Sequence, residues 1–158
     1  MMDAVDESVI QRLEALRPSL KCEWEALLRT EPTLSPLGNP DTLIYLMDET
    51  IVDLLKSVRA QVLRHTHRNP RTLRVPLPRH CACGLNPLLN YYATGEIALH
   101  LVAAPVLTAE HDLDDVLACY HTLALQELEM LCAVCQFNHE RAGFTATAPA
   151  RPARNSGR

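Results

Sequence analysis

The chain has 158 residues, 47% of them hydrophobic, and a formal net charge of −4 from 15 basic and 19 acidic side chains. That is the length of one ordinary domain, able to bury a core without disulfide staples. The mixed signs provide no global field for nucleic acid or a membrane surface, although two segments are locally basic. No stretch approaches the roughly 18 apolar residues of a spanning helix, and the acidic start from Met1 to Ser8 lacks the positive charge and apolar run of a signal peptide. The expected compartment is the cytoplasm, where thiols stay reduced and cysteine patterns point to metal or redox chemistry more often than to disulfides.

Apolar residues at Val5, Val9, Leu13, Leu16, Leu20, Trp24 and Leu27 recur every three or four positions and predict a first helix ending near Thr30. Pro18 lies off that stripe and is expected to kink the helix or restart it. After a connection containing Pro32, Pro36 and Gly38, the run Asn39, Pro40, Asp41 supplies a cap, a proline where no N–H is needed, and an acid at the positive end of the dipole. Leu43, Ile44, Met47, Ile51, Leu54, Leu55, Val58 and Val62 carry the second helix to about Arg64.

The stretch from His65 to Leu85 contains four arginines and three prolines and is expected to be a long functional loop. Asn86 and Pro87 repeat the capping device and open a third helix through Leu88, Leu89, Tyr91, Tyr92, Ile97, Leu99 and Val102. Its apolar residues are not confined to one face, which predicts deep burial, and Gly95 is expected to permit a close contact. Pro105 ends it. Thr108 and the acids Glu110, Asp112, Asp114 and Asp115 predict the start of a fourth helix, which runs through Val116, Tyr120, Leu128 and Cys135. From about residue 143 the chain reads as a disordered basic tail.

The expected fold is therefore all-α, an antiparallel up-down four-helix bundle over residues 1–142 with a long loop between helices two and three. Trp24, Tyr91 and Tyr92 are expected as core and rim aromatics, and His100, His111 and His121 as solvent-facing or satisfied boundary residues.

The chemistry sits in three clusters. His65 and His67 form one, His80, Cys81 and Cys83 the second, and Cys132, Cys135 and His139 the third. The last three are spaced i, i+3 and i+7, so they share one side of a helix. Up-down connectivity would bring all three clusters to one end of the bundle. There Cys81, Cys83, Cys132 and Cys135, with His139 or His80, could bind zinc or an iron–sulfur cluster, or form a reversible dithiol pair. Cys-x-Cys is not the commonest zinc spacing, and the alternative is that the cysteines merely pack. Glu96 and His100 sit i, i+4, but the repeated Glu-x-x-His set of a diiron bundle is missing. No nucleophile elbow, phosphate loop or dinucleotide fingerprint occurs, which disfavours an enzyme.

From Leu20 to Leu55, the Trp24-bearing helix, the connection through Gly38, and the helix capped by Asn39 and Pro40 resemble the N-terminal helical sensor domain of RsbRD-type stressosome proteins. The resemblance implies a bacterial sensory or regulatory bundle and carries over no catalytic residue. The expected function is thus a cytoplasmic, non-enzymatic regulatory or sensory protein with a Cys/His metal or redox site. Its expected partner is a protein or a second copy, with no membrane or nucleic acid. The alternatives are an adaptor bundle whose cysteines only pack, and a small metal- or thiol-dependent enzyme.

Overall fold

The computed structural model describes residues 4–32, 37–64, 76–82, 84–109 and 111–141, with side chains described only within 7–134. The expected tail, the residues His65 and His67, and the side chains of Cys83, Cys135 and His139 lie outside that description. Among the described residues the fold is an all-α bundle built from α1 (Ala4–Thr30), α3 (Met47–Arg64), α4 (Leu88–Ala103) and α5 (Asp112–Arg141). A short α2 (Pro40–Leu43) and a 3-10 turn (Ile44–Leu46) lead into α3. No described helix is long and apolar enough to cross a membrane.

Local chemistry accounts for the boundaries. Asn39 Oδ1 accepts from the Asp41 amide at 3.0 Å while Pro40 fills the first helical position, as the capping signal requires. Asn86 uses the same i to i+2 geometry, its Oδ1 accepting from the Leu88 amide at 3.0 Å. Pro18 does not restart α1 but lies within one continuous helix on an exposed position. The carbonyl of Glu14, deprived of its partner by that proline, belongs to an exposed residue where water can serve it. The last helix begins at Asp112 rather than at Thr108, with Asp112, Asp114 and Asp115 in its first turn.

Helix α1 packs against α3 and α4, and α5 packs against the same two, so α3 and α4 face each other across a diagonal. Contacts along each pair fix the directions. Glu14 meets Arg59 while Arg17 and Lys21 meet Asp48, so α1 and α3 run oppositely. The Trp24 indole donates to Tyr91 O at 2.9 Å, and the Arg12 guanidinium reaches Val106 O at 3.5 Å, so α1 and α4 also run oppositely. Asn86 against Leu128 and Tyr92 against Tyr120 give α4 and α5 the same relation.

All neighbouring helices are therefore antiparallel, but the order is up, down, down, up. This corrects the expected up-down connectivity: α3 and α4 are parallel, and the chain leaves α3 at the end opposite to where it enters α4. Thr50 and Tyr91 share one level, with their hydroxyls 2.8 Å apart across the diagonal, so Arg64 lies about 21 Å further along the axis. The end of α3 at Arg64 is consequently remote from Asn86 and Cys132. His65 and His67, which the expected three-cluster convergence includes, lie outside the described residues.

The core centres on Gly95. A methyl there would collide with the Tyr120 hydroxyl and with Trp24 ring carbons. Without it, Trp24 and Tyr120 approach α4 closely enough for the indole to donate to Tyr91 O and the Tyr120 hydroxyl to Tyr92 O at 2.8 Å. Both ring systems thus bury their polar atoms satisfied, as interior Trp and Tyr require. The rings also stack: Trp24 and Tyr91 centroids are 4.5 Å apart at 36°, and Tyr91 and Tyr92 meet edge-on at 5.0 Å. Burial pushes the phenol pKa values of Tyr91, Tyr92 and Tyr120 upward.

Candidate functional site

Two places concentrate chemistry. The first is the junction at the shared end of α4 and α5, built on Asn86. The turn before it closes by a hydrogen bond from the Gly84 amide to Cys81 O at 3.1 Å, and Gly84 adopts a φ of +66°, which glycine takes without steric penalty. This turn presents Cys81 to the Asn86 backbone amide, which donates to its Sγ at 3.4 Å. The Asn86 carboxamide, fully buried, donates from Nδ2 to Leu128 O and to Cys132 Sγ, each at 3.1 Å. One asparagine therefore caps α4, anchors it to α5, and hydrogen-bonds two sulfurs that stand 51 positions apart in the sequence.

Of the ligands expected from the sequence, Cys81 and Cys132 thus meet at Asn86, both half-buried. His80 is exposed beside them in the chain. Cys83, Cys135 and His139 have no described side chains, and among the described residues no group of three or more His, Cys, Asp or Glu comes together. The other two cysteines lie elsewhere. Cys22 is exposed on α1, and Cys119 is buried on α5, where its thiol donates to Gln61 Oε1. Burial pushes the Cys119 pKa up to about 11.

The second place is a cavity of about 580 Å³ beside α4, between the end of α1, the segment 76–79 and His121 of α5. Pro32, Leu77, Ala93 and Ile97 give it apolar walls, and Asn90, Glu96 and His121 give it polar ones. His121 is buried, 4% exposed, and its Nε2 lies 2.8 Å from Glu96 Oε1. His121, expected as a solvent-facing or satisfied boundary residue, is instead buried, and Glu96, which spacing relates only to His100 on the same helix, meets it from α4. The pairing is across helices, so helical spacing carried no signal for it. His100 is exposed, as expected.

A smaller cavity of about 170 Å³ lies between α3 and α5, lined by Glu49, Asp53, Tyr92 and Glu127 among others. Its acids lie on solvated helix faces.

The chain matches no family model, no curated protein and no solved structure.

Proposed function

We propose that this protein is a cytoplasmic, non-enzymatic regulatory or sensory bundle whose sensing centre is the cysteine junction around Asn86, holding zinc, an iron–sulfur cluster or a reversible thiol pair. The observation that carries the reading is the double engagement of Asn86 with Cys81 and Cys132. N–H donors directed at sulfur are the outer-shell contacts that support metal-bound thiolates. Two sulfurs reached from one buried residue, Cys81 by its backbone amide and Cys132 by its carboxamide, are also already close to a common neighbourhood. Cys83 lies two residues from Cys81, while Cys135 and His139 follow Cys132 one and two helical turns along α5, so the sequence offers a full ligand set at this end. The resemblance of residues 20–55 to a stressosome sensor domain fits a signalling role. Coupling is mechanically direct, because Asn86 caps α4: a change at the sulfurs bears on the α4 and α5 contact itself.

The test is elemental analysis of the untagged protein together with Cys81→Ser and Cys132→Ser. The reading expects stoichiometric zinc or iron in the parent, lost in both variants, or else a diamide-induced thiol loss that shifts the melting temperature. Metal-free protein whose stability ignores zinc, diamide and both substitutions would overturn it.

A second reading has its own observation. Tyr45 is 81% exposed and Leu46, Met130 and Val134 are also exposed, the first two at the start of α3 and the others toward the same end of α5. Those apolar side chains favour an adaptor bundle that docks a partner protein, its cysteines packing only. Metal-free protein unaffected by oxidants would leave that reading standing.

A further inference from the structure

We infer that the groove between α3 and α5 docks a basic amphipathic helix of a partner protein, which lays apolar side chains against Leu46 and Met130 and its lysines or arginines against Glu49 and Glu127. The inference rests on the adaptor reading above and supplies the partner's chemistry. Helical spacing defines both walls. Leu46, Glu49 and Asp53 follow one another at three or four residues, and Leu123, Glu127, Met130 and Val134 do the same along α5, so each set shares one side of its helix. The cavity of about 170 Å³ shows that the two walls face each other, with Leu46, Glu49 and Asp53 on one side, Leu123 and Glu127 on the other, and Thr50 and Tyr92 beneath. Since α3 and α5 run oppositely, the exposed Tyr45 and Leu46 lie toward the end where Met130 and Val134 are exposed. The groove is therefore apolar at one end and acidic a turn or two further along.

The carboxylates select the occupant. Asp41, Asp48 and Asp53 are each engaged by a basic side chain, from Arg29, from Arg17 and Lys21, and from Lys56. Glu49 and Glu127 border the cleft with no ion-pair partner among the described residues. Burial raises the Tyr92 phenol pKa, and the negative charges of Glu127 and Asp53 raise it further, so the field reaches the floor of the groove. A second copy of this chain meeting its twin through this face would set the same acids against one another, which repels. A cationic helix satisfies both features at once: its apolar stripe covers the exposed side chains, and its charges meet the unpaired carboxylates.

The experiment measures fluorescence anisotropy of labelled peptides of about 18 residues, long enough to form a helix, with the full-length protein at low and high salt. One peptide carries leucines at every third or fourth position and lysines elsewhere, a second has each lysine replaced by glutamate, and a third scrambles the first so that no apolar face forms. The leucine–lysine helix should bind saturably, one per chain, with affinity falling as salt rises, and the other two should not bind. Glu49→Lys and Glu127→Lys should each weaken binding about tenfold, a lost attraction and a new repulsion together, and Met130→Ser should weaken it at unchanged charge. Urea midpoints of these variants should match the parent's, because none of the three side chains belongs to the buried core. Glu129→Lys makes the same change in net charge on the other side of α5 and should leave binding intact. An equal loss in Glu129→Lys would reduce the effect to net charge and overturn the groove. Equal binding of the glutamate peptide would overturn the basic partner while leaving the adaptor reading in place. Absence of binding by all three peptides would overturn the docked helix, as would a dimer in sedimentation that separates on Met130→Ser, which would give the face to a second copy.

Discussion

Asn86 and Cys132, 46 positions apart in the sequence, are joined by a 3.1 Å hydrogen bond from the buried carboxamide to the sulfur. The same carboxamide donates to Leu128 O and accepts from the Leu88 amide. It ties the beginning of α4 to the C-terminal half of α5.

Asn86→Ala should therefore be more damaging than Asn39→Ala. At Asn39 the side chain is an exposed cap, and its loss should reduce stability by about 1 kcal/mol. At Asn86 the cap, a buried hydrogen bond to Leu128 O and a half-buried one to Cys132 Sγ disappear together, for about 2–4 kcal/mol. Urea titrations of the two variants measure the difference; equal losses would mean the α4–α5 link contributes nothing.

Gly95→Ala tests the close approach at the core. Helix propensity alone predicts a gain of about 1 kcal/mol for alanine. The added methyl meets Tyr120 and Trp24 in the interior, however, and overpacking should win with a net loss of about 3 kcal/mol. A more stable variant in thermal denaturation would show that the rings can move aside.

Stability should fall at alkaline pH. Tyr91, Tyr92, Tyr120 and Cys119 all have pKa values raised by burial above the 10.0 of a free tyrosine or the 9.0 of a free cysteine. Each group is neutral when protonated, so the unfolded chain binds fewer protons than the native one once pH exceeds the unfolded values. Their contribution is complete below about pH 9 and is lost as pH rises beyond it, from Cys119 first. Absorbance at 295 nm against pH should show these three phenols ionising together with loss of helical circular dichroism, not before it.

Thiol reactivity should separate the cysteines. Cys22, exposed on α1, should react with iodoacetamide in the native state, whereas Cys119, buried and held protonated, should react only on opening of the bundle. Peptide mass spectrometry of a time course reads both. Rapid native labelling of Cys119 would place it on a mobile surface.

The elements themselves were legible in the sequence because helix formation is decided by short-range patterns. The stripe of Val9, Leu13, Leu20 and Trp24 is buried as its spacing predicted, the Asn39 cap forms, and the need for glycine at residue 95 is met by a close contact. Ile10 and Leu28, absent from that stripe, are also buried, because a helix with two packing partners buries a wider arc than one stripe describes. What the sequence left undetermined was the direction of α4. Capping and periodicity read the same along a helix whether its neighbour is parallel or antiparallel, and the direction is set by which contacts the core can satisfy. The Trp24 indole on Tyr91 O and the Arg12 guanidinium on Val106 O record that choice, and with it the Arg64 end of α3 is separated from the cysteine junction. The pairing of His121 with Glu96 belongs to the same category. It arises between residues brought together only by packing, where no spacing along the chain can announce it.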